Sequence, residues 1–123
     1  MVPGPAKVRF VGVSKRFQAR GGALSVLENV DLDVAEGEFI CLLGPSGCGK
    51  STLLNIAGGF ERPTTGCVTI DGVEVTLPNP RRVFVFQEYG IFPWASVWDN
   101  VAIGLREHPK DEQHRIVQRY VDL

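Results

Sequence analysis

Phe39-Ile40-Cys41-Leu42-Leu43 runs without a polar break into Gly44-Pro45-Ser46-Gly47-Cys48-Gly49-Lys50-Ser51, and Thr52-Leu53-Leu54-Asn55-Ile56-Ala57 follows. An apolar run without alternation suggests a strand covered on both faces, as in a parallel sheet flanked by helices. The eight residues from Gly44 to Ser51 match G-x-x-x-x-G-K-[ST] in full, between a buried-type strand and a helical stretch, which is the context this motif requires. Glycines let the backbone curl so that successive N–H groups turn inward toward phosphate oxygens, and the following helix adds the positive end of its dipole. Lys50 supplies a point charge to the β- and γ-phosphates. The Ser51 hydroxyl is placed to ligate Mg²⁺, and Thr52 can donate to the α-phosphate.

Outward from this loop, residues 8–13 and 26–34 alternate as strands, with Gly21 and Gly22 between them. The helix from Ser51 ends at Gly58-Gly59. Residues 67–70 and 73–75 flank Asp71-Gly72, a two-residue hairpin signal. Val83-Phe84-Val85-Phe86 reads as a second covered strand. Ser96-Val97-Trp98-Asp99 opens a helix with a capping-box pattern, and a last helix starts near Pro109 and runs toward Leu123.

Composition narrows the function. The 123 residues are 44% hydrophobic and 22% charged, an ordinary globular mixture. With 13 basic and 14 acidic side chains the net charge is -1, which gives no electrostatic footprint for nucleic acid or an anionic bilayer. Cys41, Cys48 and Cys67 form no C-x-x-C pair and fit reduced thiols rather than a disulfide framework or a zinc site. The first residues hold no apolar leader, and no uncharged run is long enough to cross a bilayer. The chain reads as soluble and cytoplasmic.

The segment Gly44-Pro45-Ser46-Gly47-Cys48-Gly49-Lys50-Ser51-Thr52-Leu53-Leu54, with Ile56-Ala57-Gly58-Gly59, resembles the Walker A segment of ABC-transporter ATPases. The hairpin from Gly66 to Val75 matches the next part of that family, and Val85-Phe86-Gln87 is similar to its Q-loop. Phe92-Pro93-Trp94, then Ser96-Val97 and Asn100-Val101, resembles the importer branch serving nitrate, sulfonates and taurine. The resemblance implies an α/β fold: a partial P-loop NTPase (RecA-like) core, an antiparallel β subdomain and the start of a helical subdomain. Residues 1–123 would form one incomplete ABC-type nucleotide-binding domain, with Walker A at 44–52, the Q-loop around 87 and the helical part from about 96. It implies ATP and Mg²⁺ as cofactors, held by Gly44, Pro45, Ser46, Gly47, Cys48, Gly49, Lys50, Ser51 and Thr52. Phe17, in Val13-Ser14-Lys15-Arg16-Phe17, falls where the family stacks an aromatic on adenine. Gln87 falls on the glutamine that contacts the metal and the attacking water, so the metal set is Ser51 and Gln87.

The implied partners are transmembrane permease subunits, which Trp94 would face, a second nucleotide-binding subunit as a homodimer, and indirectly an extracytoplasmic solute-binding protein. The location would be cytoplasmic and peripheral on the inner face of the membrane. Selectivity for a solute would reside in the permease and the binding protein. Three other readings stand beside this one: a nucleotide-holding module without hydrolysis, a soluble ABC ATPase of repair or translation type, which Pro93-Trp94 argues against, and another P-loop phosphotransferase. The last expects lid arginines after the loop, and Arg81-Arg82, the one adjacent pair, precedes an apolar run instead.

Hydrolysis also needs an oriented water and compensation for charge on the transferring phosphoryl group. In the resembling family these come from an apolar strand ending Asp-Glu, a Leu-Ser-Gly-Gly signature and a switch histidine. Val68-Thr69-Ile70-Asp71 ends in Gly72, and His108 and His114 lie in polar helical surroundings. The sequence is therefore expected to be a fragment. Purified alone, the chain is expected to release no phosphate from ATP above background; turnover that disappears in Lys50→Ala would contradict this.

Overall fold

The computed structural model describes residues 6–88 and 90–122. The chain divides into two compact units, Met1–Phe84 and Val85–Leu123.

The first unit is built on a long hairpin. Strand β1 (Ala6–Ala19) pairs antiparallel with β2 (Gly22–Ala35), and the pairing closes at Ala19 opposite Gly22. Strand β3 (Thr65–Ile70) adds to the other edge of β1, and β4 (Val73–Glu74) follows, giving the order β2-β1-β3-β4. Asp71 and Gly72 both take positive φ, 52° and 75°, as the tight turn between β3 and β4 requires. Phe10 and Val13 are both buried although their odd spacing would put them on opposite faces of a regular strand. A register shift between them, with Gly12 at φ 54°, returns both side chains to one face. The Asp31 carboxylate accepts the Gly12 N–H at 2.7 Å and fixes this bulge.

Helix α1 (Lys50–Gly58) lies on that face. Leu53 and Ile56, three apart and so on one side of the helix, join Phe10, Val13, Leu27, Val68 and Val75 in the core. Gly59, at φ 82°, stops the helix: the N–H groups of Phe60 and Glu61 both donate to the Asn55 carbonyl. The antiparallel sheet with a helix packed on it agrees with the expected β subdomain and α/β class.

One expectation is overturned. Residues 39–43 and 83–86 do not form strands of a parallel sheet; no described strand runs beside either. Leu43 is 91% exposed and Val85 93%. A strand exists through its ladder, and a parallel one needs a neighbour brought alongside by a long crossover. The four observed strands pair antiparallel. Local tethers remain: Leu42 is half-buried against the core, and Phe84 meets Phe60 edge to face at 5.0 Å.

The second unit holds α2 (Val97–Ala102), a short 3-10 turn (Ile103–Leu105) and α3 (Lys110–Val121). Ser96 caps α2 as its sequence indicates, Oγ accepting the Asp99 N–H at 3.1 Å and donating to Asp99 Oδ2 at 2.6 Å. Pro109 precedes α3, whose buried residue is Val117. The Trp98 ring meets His114 at 4.7 Å, joining α2 to α3.

Gly66 tests the sheet. At φ 78°, a Cβ there would collide with the carbonyl oxygens of Val11 and Gly12. Gly72, at φ 75°, faces open space. Gly72→Ala is therefore expected to lower stability by about 1–2 kcal/mol, the left-handed cost alone. Gly66→Ala should lose about 3–5 kcal/mol because the strand backbones must also part. Urea denaturation of the two variants separates these terms.

Candidate functional site

The phosphate-type loop is shaped by two close approaches. A Cβ on Gly44 would come 2.8 Å from Cys48 Sγ, so the loop curls back on itself at the cysteine. Gly49 is buried at φ 96°, and a Cβ there would sit 2.8 Å from Leu27 Cδ2 and 2.9 Å from the Val26 carbonyl oxygen. Only glycine seats the loop directly on β2 in that conformation.

Helix α1 starts at the next residue. The Leu53 N–H donates to the Gly49 carbonyl at 2.9 Å. Among the described residues, the N–H groups of Ser46, Gly47, Gly49, Lys50, Ser51 and Thr52 donate to no backbone carbonyl. First-turn N–H groups have no partner within a helix, and here the glycine-rich loop extends the row. The Cys48 N–H is the exception, at 3.4 Å from the Pro45 carbonyl.

The Lys50 ammonium donates to the carbonyls of Gly44 and Pro45, at 2.8 and 2.7 Å, and lies 3.5 Å from Cys48 Sγ. The loop thus offers a line of donors and a cation drawn to its own start. Acceptors with several negative oxygens complement such a set; neutral ligands do not. Ser51 is exposed on the first turn of α1. Among the described residues, no group of three or more His, Cys, Asp or Glu could hold a metal ion.

Phe17 lies on β1 opposite Leu24, 37% exposed. Two residues before it, Lys15 pairs with Leu27, the residue on which Gly49 rests. The hairpin therefore carries Phe17 within two strand positions of the loop's seat. Lys15 Nζ lies 4.8 Å from the Phe17 ring centroid. The same ammonium pairs with Glu61 Oε1 at 2.6 Å and donates to the Arg62 carbonyl at 2.7 Å. Neither Lys15 nor Glu61 stood out in the sequence: 46 residues separate them, and only the fold brings them together.

Gln87 belongs to the second unit, where it is exposed in a bend. Asn100 organises the loop before α2. Its side chain accepts the Phe92 N–H at 2.7 Å and donates to the carbonyls of Phe92, Ala95 and Ser96. Trp94, 82% exposed, stands at the tip of this clamped turn, with Phe92 at 5.4 Å beneath its edge.

A family sequence model described as ABC transporter matches residues 27–122. The chain belongs to the ABC transporter family. It is 45% identical over 116 residues to the bicarbonate transport ATP-binding protein CmpC of Synechococcus elongatus, covering 90% of this chain and 18% of that protein. It is 43% identical over 120 residues to the nitrate import ATP-binding protein NrtD of the same organism, covering 94% and 44%. Similarity extends to the spermidine/putrescine import ATP-binding protein PotA of Frankia alni, at 51% over 105 residues, covering 83% and 23%. A solved dimeric ATP-binding cassette, in a post-hydrolysis state bound to ADP and Pi, superposes with a TM-score of 0.79 at 30% identity, covering 91% of this chain and 54% of that one. The chain spans less than half the length of the three transport proteins and about half of the cassette. These ABC relatives confirm the partial P-loop NTPase fold, with an antiparallel sheet and helices.

Within this ABC chain, the Lys15 hydrogen bond is the main influence holding the Glu61 carboxyl below its ordinary value of 4.5, against the opposing effect of burial, with the Arg62 N–H assisting. A depressed folded value means the contribution to stability is complete above the unfolded value and fades as pH falls through the folded one. Wild-type stability is expected to drop below about pH 4.5 more steeply than that of Glu61→Gln. Urea midpoints measured from pH 7 to pH 3 would show the two curves converging.

Proposed function

We propose that this chain binds Mg-ATP through residues 44–52 and serves as part of the ATP-binding subunit of an ABC importer. The carrying observation is the row of backbone N–H groups without carbonyl partners, backed by Lys50. In this reading the N–H groups of Ser46, Gly47, Gly49, Lys50, Ser51 and Thr52 hold the phosphate tail. Lys50 exchanges its two carbonyl acceptors for phosphate oxygens. Gly44 and Pro45 shape the loop's start, Gly47 and Gly49 its bend, and Cys48 fills its inner side. Phe17 stacks on the adenine. Ser51 and Gln87 would hold Mg²⁺, with the remaining ligands coming from phosphates and water, and Gln87 would also orient the attacking water. When bound, Mg-ATP supplies the phosphoryl-transfer chemistry that energises uptake.

The same reading assigns the partners. The exposed Trp94 on its Asn100-clamped turn supports a contact with a transmembrane permease subunit, since an exposed aromatic on a rigid base is the usual anchor of an interface. A second nucleotide-binding subunit is supported by the dimeric cassette that this chain resembles. A solute-binding protein would act through the permease. No helix among the described residues is long and apolar enough to cross a membrane, and the reading places the chain peripherally on the cytoplasmic face. Relatives named for bicarbonate, nitrate and spermidine/putrescine align at comparable identity, which fits a role upstream of solute choice.

A nucleotide-holding module without turnover is the second reading, favoured by the place of the one Asp-Glu pair in the sequence, Asp111-Glu112, which opens helix α3 rather than ending an apolar strand. Both readings require the loop. Mg-ATP at a hundredfold excess over its dissociation constant should stabilise the folded chain by about 2.7 kcal/mol. Lys50→Ala should lose most of that shift while keeping its unliganded stability. Thermal denaturation with and without Mg-ATP reads both, and an undiminished shift in the variant would overturn the assignment.

A further inference from the structure

Phe17 is not a free-standing ring: it is held by a cation that is itself tied to the far end of the phosphate-loop helix. Lys15 and Phe17 are two apart on β1, and although the pairing with β2 shifts register between Lys15 and Arg16, the lysine reaches over the ring. The ammonium of Lys15 lies 4.8 Å from the ring centroid, within the range of a cation–π contact. The Lys15 side chain is only 12% exposed, and its Nζ is anchored by Glu61 Oε1 at 2.6 Å and the Arg62 carbonyl at 2.7 Å. Glu61 is fixed in turn, its N–H donating to the Asn55 carbonyl in the last turn of α1. Two further bonds bind β1 to the same loop: the Thr64 N–H donates to the Ser14 carbonyl at 2.8 Å, and Thr64 Oγ1 accepts the Arg16 N–H at 3.0 Å.

We infer that Lys15, anchored by Glu61, is a positioning residue for base recognition: it holds the Phe17 ring in one orientation so that a purine can stack on the face the ammonium leaves open. This rests on the reading above in which Phe17 stacks on the base. The physical basis is preorganisation. A ring already fixed loses no rotamer freedom when the base arrives, and a cation on one face strengthens the ring's electrostatic attraction for an electron-rich partner on the other. The phosphate tail is gripped by the loop and owes nothing to this pair. The base and the tail should therefore respond differently.

The test compares ATP with inorganic tripolyphosphate, both with Mg²⁺, by isothermal titration on the full chain. In the wild type, ATP should bind more tightly than tripolyphosphate, and Phe17→Leu should remove that margin. Lys15→Met should weaken ATP roughly two- to fivefold, the size of one cation–π contact, and leave tripolyphosphate unchanged. Lys15→Arg should restore ATP binding, and Glu61→Gln, which keeps the ammonium but loosens its anchor, should reproduce part of the loss. In a Phe17→Leu background, Lys15→Met should have no further effect. Equal weakening of both ligands, or a Lys15→Met loss that persists without Phe17, would overturn the inference and mark Lys15 as a purely structural link. A wild-type chain that binds ATP no more tightly than tripolyphosphate would overturn the stacking role of Phe17 as well, whereas a Phe17-dependent margin indifferent to Lys15 would overturn this inference alone.

Discussion

The contact of Gly49 with β2 holds the first unit and its site together. At a φ of 96°, Gly49 comes so close to the Val26 carbonyl and the Leu27 side chain that no Cβ fits there. From that seat the next residue opens α1, and the helix lies where Leu53 and Ile56 reach Phe10, Val13 and Val68. A bulkier residue at Gly49 would lift the helix from the sheet and turn the loop's N–H row with it. The packing that stabilises this unit and the geometry that presents donors to an anion are thus one arrangement.

The same hairpin carries the second half of the proposed site. Leu27 touches the loop, Lys15 faces Leu27 across the ladder, and Phe17 follows two residues later. The Lys15–Glu61 pair closes the circuit by tying β1 to the loop after α1. Exposed ion pairs contribute little to stability, but here the lysine is largely covered and serves three partners at once. Its value lies in orientation rather than in binding strength. Both ends of α1 are thereby fixed to one strand pair, the phosphate-type loop at one end and the aromatic's anchor at the other.

The two apolar runs show the opposite case. Residues 39–43 carry a strand-like pattern, and residues 83–86 carry another, yet each lacks a ladder among the described residues. Strands β1 to β4 could form because each pairs antiparallel with a neighbour reached by a turn or by the loop after α1. Relatives of which this chain covers less than half have chain length that this sequence does not include. Apolarity marks a segment as wanting cover; it does not supply the partner.

What the residues alone determined is local: the loop from the spacing of Gly44, Gly49, Lys50 and Ser51, the hairpin turn from Asp71-Gly72, the cap from Ser96 and Asp99, and the helix stop from Gly59. Each depends on neighbours a few positions apart, so pattern and geometry coincide. The family resemblance was legible for the same reason, since its motifs are short and contiguous. Tertiary structure decided the rest. It placed Phe10 and Val13 on one face through a bulge at Gly12, brought Lys15 to Glu61 across 46 residues, and left Leu43 and Val85 uncovered. Those outcomes turn on which distant backbones meet, and periodicity along a chain carries no information about that.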